Sequence, residues 1–295
     1  MVKIKRIGIQ AEFEEPFSPR FPEALVRGGL GYTLRRIMCI NRDVDDCADC
    51  LIGNQCMYSI MYNDRAKTRN GLQVSPYAVR CHTDQSSHKK MTMNFTLFQP
   101  MLPYAGHEAG KRGVGRDRKK FTITGATDAV SGRMFTLDNR VDRFSLDEEE
   151  WAPRYMEDAE EVECALTFHT PARIKRKERM KGEVTFQDIV KSCVMRFKNL
   201  DRAFSEEQTR LDIPPARIID AASAVETTRE DIHWEKRERY STRQHAVVSA
   251  GGFTGRIAFT GPVGPFREFL DFGSVAGIGK NTTFGCGLFT VEYGG

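Results

Sequence analysis

The hydrophobic positions change period along the chain, and each change predicts an element. Val2 and Ile4 alternate with polar residues, and after one irregularity Ile7, Ile9, Ala11 and Phe13 resume the alternation, as in a strand over 2–13. Helical spacing follows: Leu30, Leu34 and Ile37 share a stripe, which puts Tyr32, Arg35, Arg36 and Cys39 on the opposite face, open to solvent or to a site. Residues 72–82 and 91–99 read as a hairpin, the second arm alternating Met93, Phe95 and Leu97 against Thr92, Asn94 and Thr96. A short helix over 102–109, a loop over 110–115 and a strand over 121–127 complete a β-α-β-β-α-β order.

That order then repeats. Past an acidic segment at 147–160 that carries Pro153, Val162, Cys164, Leu166 and Phe168 alternate as in a half-buried strand. Thr185 and Asp188 form a capping-box start for a helix whose stripe is Phe186, Ile189, Val190, Cys193, Val194, Phe197, Leu200 and Phe204. Residues 229–243 and 252–261 read as a second hairpin, 266–272 as a short helix and 284–293 as the closing strand. The predicted class is α+β: two tandem ferredoxin-like (RRM-like) domains, residues 1–150 and 160–295, with a cysteine-bearing insertion at 39–56 in the first. The loop Ala109–Gly115 resembles the loop Ala276–Asn281, each before a closing strand, which suggests an internal duplication.

Charge adds a partner class. The formal charge is only +4, but bases gather at 111–120, 173–181 and 236–243, and acids chiefly at 147–151 and 157–163. Clustered bases favour a polyanion; each run by itself also fits a solvated face. No apolar stretch approaches the ~20 residues of a membrane-spanning helix, and residues 1–10 lack a signal-peptide core, so a cytoplasmic protein is expected. There cysteines stay reduced, and a tight group suggests metal. Cys39, Cys47, Cys50 and Cys56, spaced C-x7-C-x2-C-x5-C, are the candidate set for structural zinc, with an iron–sulfur cluster or no metal as alternatives. The other four cysteines are scattered as core fillers would be.

Gly277, Gly279, Gly285 and Gly287, with Lys280 and Thr282 among them, describe a loop whose backbone could approach a phosphate chain. It is not a Walker A loop, which would need glycine at Ser274, Ser or Thr at Asn281 and a helix next. A tight helix-to-strand turn is the plain alternative. No spaced set of carboxylates suits a two-metal nuclease, since Asp43, Asp45, Asp46 and Asp49 crowd the cysteine segment.

The segment Gly277–Gly287 resembles the glycine-rich loop of the RAMP superfamily, specifically the CRISPR precursor-RNA processing endoribonucleases. Arg239–Gln244 with Gly251–Gly255, Thr170–Lys175, and Arg27–Arg36 followed by the cysteines resemble further segments of that family. The resemblance implies an endoribonuclease that binds CRISPR repeat RNA and cuts precursor transcripts without a catalytic metal. A ribose 2′-hydroxyl would attack the adjacent phosphate, leaving a 2′,3′-cyclic phosphate and a 5′-hydroxyl. The superfamily also implies an alternative, a non-cutting RNA-binding subunit of a CRISPR effector complex. The family's early histidine is missing, since no histidine precedes His82. Tyr32, Arg36 and His245 are therefore the candidate catalytic residues, ahead of His82, His88 and His107. Arg239, Tyr240, Ser241, Arg243, Gln244, Gly277, Gly279, Lys280, Thr282 and Gly285 are the candidate RNA contacts, Tyr240 as a base-stacking ring.

Overall fold

The computed structural model describes the chain apart from residues 45, 54, 63–73, 75, 99–103, 136–145, 157–161, 175–183, 242–245 and 295. It forms two compact units, one of Lys3–Glu150 and one of Trp151–Gly295 joined by Met1–Val2. Both are mixed α/β with antiparallel sheets.

In the N-terminal unit, β1 (Val2–Phe13) leads to α1 (Pro22–Met38), α2 (Met57–Tyr62), β2 (Tyr77–Thr83), β3 (Lys90–Leu97), α3 (Tyr104–Arg112) and β4 (Phe121–Asp128). The sheet runs β2-β3-β1-β4-β5, with β5 (Met134–Phe135) extending it and β6 (Glu149–Trp151) pairing with β1; the sequence pattern showed neither short strand. Ile4 and Ile7 are both buried with Lys5 and Arg6 between them, where the alternation breaks, while the register shift against β4 at Gln10–Ala11 leaves Thr124 of β4 as the extra residue. The core gathers Ile7, Ile9, Phe13, Leu30, Leu34, Phe95 and Phe121. Ile37 is 39% exposed, so the stripe of α1 ends at Leu34. The acids of residues 148–149 pair with the bases of β1: Lys3 and Lys5 with Glu148, and Arg6 with Glu149 at 2.5 Å.

The C-terminal unit contains β7 (Cys164–Ala172), α4 (Phe186–Phe204), α5 (Pro215–Ala221), β8 (Glu226–Glu235), β9 (Glu238–Ser241), β10 (Ala246–Ser249), β11 (Gly252–Thr260), α6 (Arg267–Ala276) and β12 (Phe289–Tyr293). Its sheet order β12-β7-β11-β8 places the first and third strands at the centre, as β1 and β3 lie in the other unit. The predicted capping box is present: the Thr185 side chain accepts from the Asp188 amide, and the Asp188 carboxylate accepts from the Thr185 amide. All the predicted stripe of α4 is buried except Phe204, which is half-buried. Phe186 meets Phe259 and Phe266, and Phe197 meets Phe272, edge to face; each such ring contributes roughly 2 kcal/mol by burial.

Two expectations change here. The arm predicted over 229–243 is two strands, since β8 pairs with β11 while β9 turns away to pair with β10 in a separate two-stranded ribbon. The closing strand starts at Phe289, because residues 282–284 form a 3₁₀ turn between two left-handed residues, Asn281 and Gly285.

Candidate nucleic-acid interface

In the C-terminal unit the glycine loop is tied to the end of β7. The Lys280 amide donates to the Arg173 carbonyl at 3.2 Å, the Gly287 amide to Pro171 at 3.0 Å, and the Leu288 amide to the buried Thr170 hydroxyl at 2.9 Å. The segments 170–173 and 277–288, singled out separately in the sequence, are thus one hydrogen-bonded structure. Gly287 has φ 74°, and a Cβ there would stand 1.8 Å from the Ile278 carbonyl oxygen, which accepts no side chain at that distance. The half-buried Arg196 of α4 donates to the Ala276 carbonyl at 3.3 Å, the last of α6, where the helix dipole favours a cation. Burial pulls its pKa down to about 10, still far above neutral.

The loop divides its candidate contacts. Gly279 and Lys280 are exposed, whereas Gly277, Thr282 and Gly285 are buried, so these three shape the loop instead of facing outward. Arg239, on β9, lays its guanidinium carbon 3.9 Å from the centroid of Phe284, which holds the ribbon to the loop by a cation–π contact. The sequence pattern puts Phe284 at the start of a strand, whereas it anchors the ribbon from a 3₁₀ turn; an aromatic among glycines is the available sign of that role. Tyr240 pairs with Val247 and Ser241 with Ala246 along the ribbon backbone, their side chains lying outside the described residues. Arg243, Gln244 and His245 also lie outside them.

The N-terminal unit holds the other candidates. Tyr32, 47% exposed on α1, receives a hydrogen bond from Arg36 Nη1 at 3.2 Å, one helical turn on. The guanidinium of Arg118 stands 5.6 Å from the Tyr32 ring centroid and that of Arg36 5.9 Å. Hydrogen bonding to Arg36 first, and then to Arg118, holds the phenol pKa below its ordinary value. Sequence reasoning found Tyr32 and Arg36 from the helical wheel but missed Arg118, 82 residues beyond Arg36 and inside a basic run with no distinguishing pattern. His82 lies near the end of β2 and His88 in the turn that leads to β3, and His107 lies on α3 with its side chain outside the described residues.

The cysteine set requires a correction. Cys39, Cys47, Cys50 and Cys56 do line one small cavity, with Arg35, Met38 and Tyr58. Burial raises the Cys47 thiol pKa, and the other three thiols add to that. Yet among the described residues no three His, Cys, Asp or Glu side chains stand as a group able to hold a metal ion, so zinc or an iron–sulfur cluster is not supported by the geometry. The reason is local: the Cys39 thiol is turned to the Asn41 carbonyl at 3.3 Å, while the turn through Cys47, Cys50 and Gly53 closes on its own backbone bonds.

Residues 166–289 match the family model described as CRISPR-associated endoribonuclease Cas6, and residues 2–139 match a separate model described as an N-terminal domain. No curated protein sequence matches the chain. Among solved structures, a Cas6 product complex aligns at a TM-score of 0.58 with 13% identity, over 99% of this chain and 100% of that one. Part of a Cas6-RT-Cas1–Cas2 complex aligns at 0.56 with 12% identity, over 99% of this chain and 46% of that one. At these identities the likeness is one of fold. Among the described residues no helix is long and apolar enough to cross a membrane.

Proposed function

We propose that this chain, whose C-terminal half carries a Cas6-family endoribonuclease domain, binds CRISPR repeat RNA and cuts precursor transcripts in the cytoplasm without a catalytic metal. The observation that carries this reading is the Cas6 match over 166–289, which contains the interlocked glycine loop and the Arg239–Phe284 anchor. Both units are read as ferredoxin-like, because each has its first and third strands central and its fourth beside its first.

Cleavage by the 2′-hydroxyl needs three things: removal of its proton, charge compensation at the phosphorane, and an in-line backbone. Tyr32, its pKa lowered, orients or deprotonates the nucleophile, and Arg36 compensates the developing charge. His245 is the proposed third participant. The exposed Lys280 and the ribbon arginines Arg239 and Arg243 take backbone phosphates, and Tyr240 stacks on a base. The products are a 2′,3′-cyclic phosphate and a 5′-hydroxyl.

The test is incubation with EDTA and end-labelled repeat RNA, beside the same RNA carrying 2′-deoxyribose at the cut site. One cut, abolished by the deoxy substitution, is expected. Binding without cutting would instead favour a guide-holding subunit of a CRISPR effector complex, a reading kept in view because α1 carries no histidine.

A further inference from the structure

The loop that follows α3 is built to deliver a single side chain. At its root the helix yields to it: a Cβ on Gly29 of α1 would stand 2.5 Å from Val114 Cγ1, so glycine there is what lets the loop seat against the helix one turn before Tyr32. Val114 and Lys119 exchange both backbone hydrogen bonds at 2.9 Å, closing the loop on itself. Immediately before that closure Gly113 lies at φ 76°, and a Cβ on it would meet the Arg118 carbonyl oxygen at 2.1 Å.

Arg118 itself lies at φ 50°, in the left-handed region that costs a residue with a Cβ roughly 1 kcal/mol. A strained arginine at a loop corner could have been replaced by glycine or asparagine if only the turn mattered. Its side chain is instead laid on the ring of Tyr32, the residue whose hydroxyl Arg36 already bonds. Two of the neighbouring bases are engaged elsewhere, Lys119 with Glu15 and Lys111 with Glu108.

We propose that Arg118 is a positioning residue for the Tyr32 hydroxyl: the closed, left-handed loop holds its guanidinium on the ring so that the phenol is set between two cations from two separate segments. The inference deepens the role given to Tyr32 above and rests on that reading only for its catalytic consequence. The charged groups that act on the phenol are Arg36, from its own helix, and Arg118, from the loop packed against it. Removing Arg118 leaves one cation and frees the ring to leave its rotamer. Less of the phenol is then ionised at a given pH, so the rising limb of a cleavage profile moves to higher pH.

The measurement is a ¹³Cζ-tyrosine NMR titration of the full chain without RNA. The Tyr32 signal, one of eight tyrosines, is assigned by its loss in Tyr32→Phe. Arg118→Gly is the main variant, because glycine tolerates the left-handed backbone and keeps the loop folded. Its Tyr32 signal is expected to titrate at higher pH than in the unaltered protein, Arg118→Lys to recover part of the difference, and Arg116→Gly to leave the titration unchanged. Cleavage by Arg118→Gly at neutral pH is expected to slow on the order of tenfold, with the slowing reduced at higher pH. An unchanged Tyr32 titration in folded Arg118→Gly overturns the proposal. A shifted titration in a protein that cuts no RNA upholds the positioning and overturns the endonuclease reading.

Discussion

Two loops occupy the same topological place, between the last helix and the closing strand of each unit, and they solve different problems. The loop of residues 113–120 closes through a short backbone bridge and ends by projecting a charged side chain from a left-handed corner. The loop of residues 277–288 spends its amides on β7 and on itself, buries most of its residues, and leaves Gly279 and Lys280 outward. Both use glycines at positive φ and both carry bases. The lesson is that similar composition at equivalent positions serves side-chain placement in one unit and backbone shape in the other.

Substitutions can break this contrast. The largest effect is expected from Gly287→Ala, where the added Cβ would overlap the Ile278 carbonyl: urea denaturation should show a loss of about 3 kcal/mol, and a loss under half of that would mean the loop is less tightly interlocked. Next comes Tyr32→Phe, which keeps the ring and its arginine contacts but removes the hydroxyl. Single-turnover cleavage should fall roughly 100-fold with RNA affinity retained, and an unchanged rate would remove Tyr32 from the chemistry. Gly113→Ala should cost about 2 kcal/mol and also raise the Tyr32 titration, joining the first loop's backbone to its side-chain function. The smallest effect is expected at Lys280→Ala in the second loop: repeat-RNA affinity falls and the slope of its logarithm against log salt drops by about 1, while cleavage at saturating protein is unaffected. A salt slope equal to the parent's would show that Lys280 does not face a phosphate.

Much of the architecture was legible because it rests on near-neighbour physics. The alternation of β1, the stripe of α4 and its Thr185–Asp188 box depend on residues within a few positions of one another, and the structure reproduces them. The ribbon β9–β10 was not legible, since an interrupted strand has the same local alternation as a continuous one and only the pairing partner distinguishes them. Nor was the start of β12, because glycine and threonine around Phe284 fit a strand or a turn until the bonds to β7 choose the turn. The cysteine spacing suggested a metal, but shared spacing brings thiols to one cavity without fixing their directions.

The sequence by itself determined the main strands and helices, such as β1, β3, α4 and β7, the exposure of Tyr32 and Arg36, and the family resemblance of the glycine loop, since each follows from residue type and short-range periodicity. Only the tertiary structure decided which distant residues meet. Arg118 reaches Tyr32 and Arg239 reaches Phe284 because sheet pairing and close glycine contacts bring separated segments together. Such contacts depend on the whole packed arrangement, and no local period encodes them.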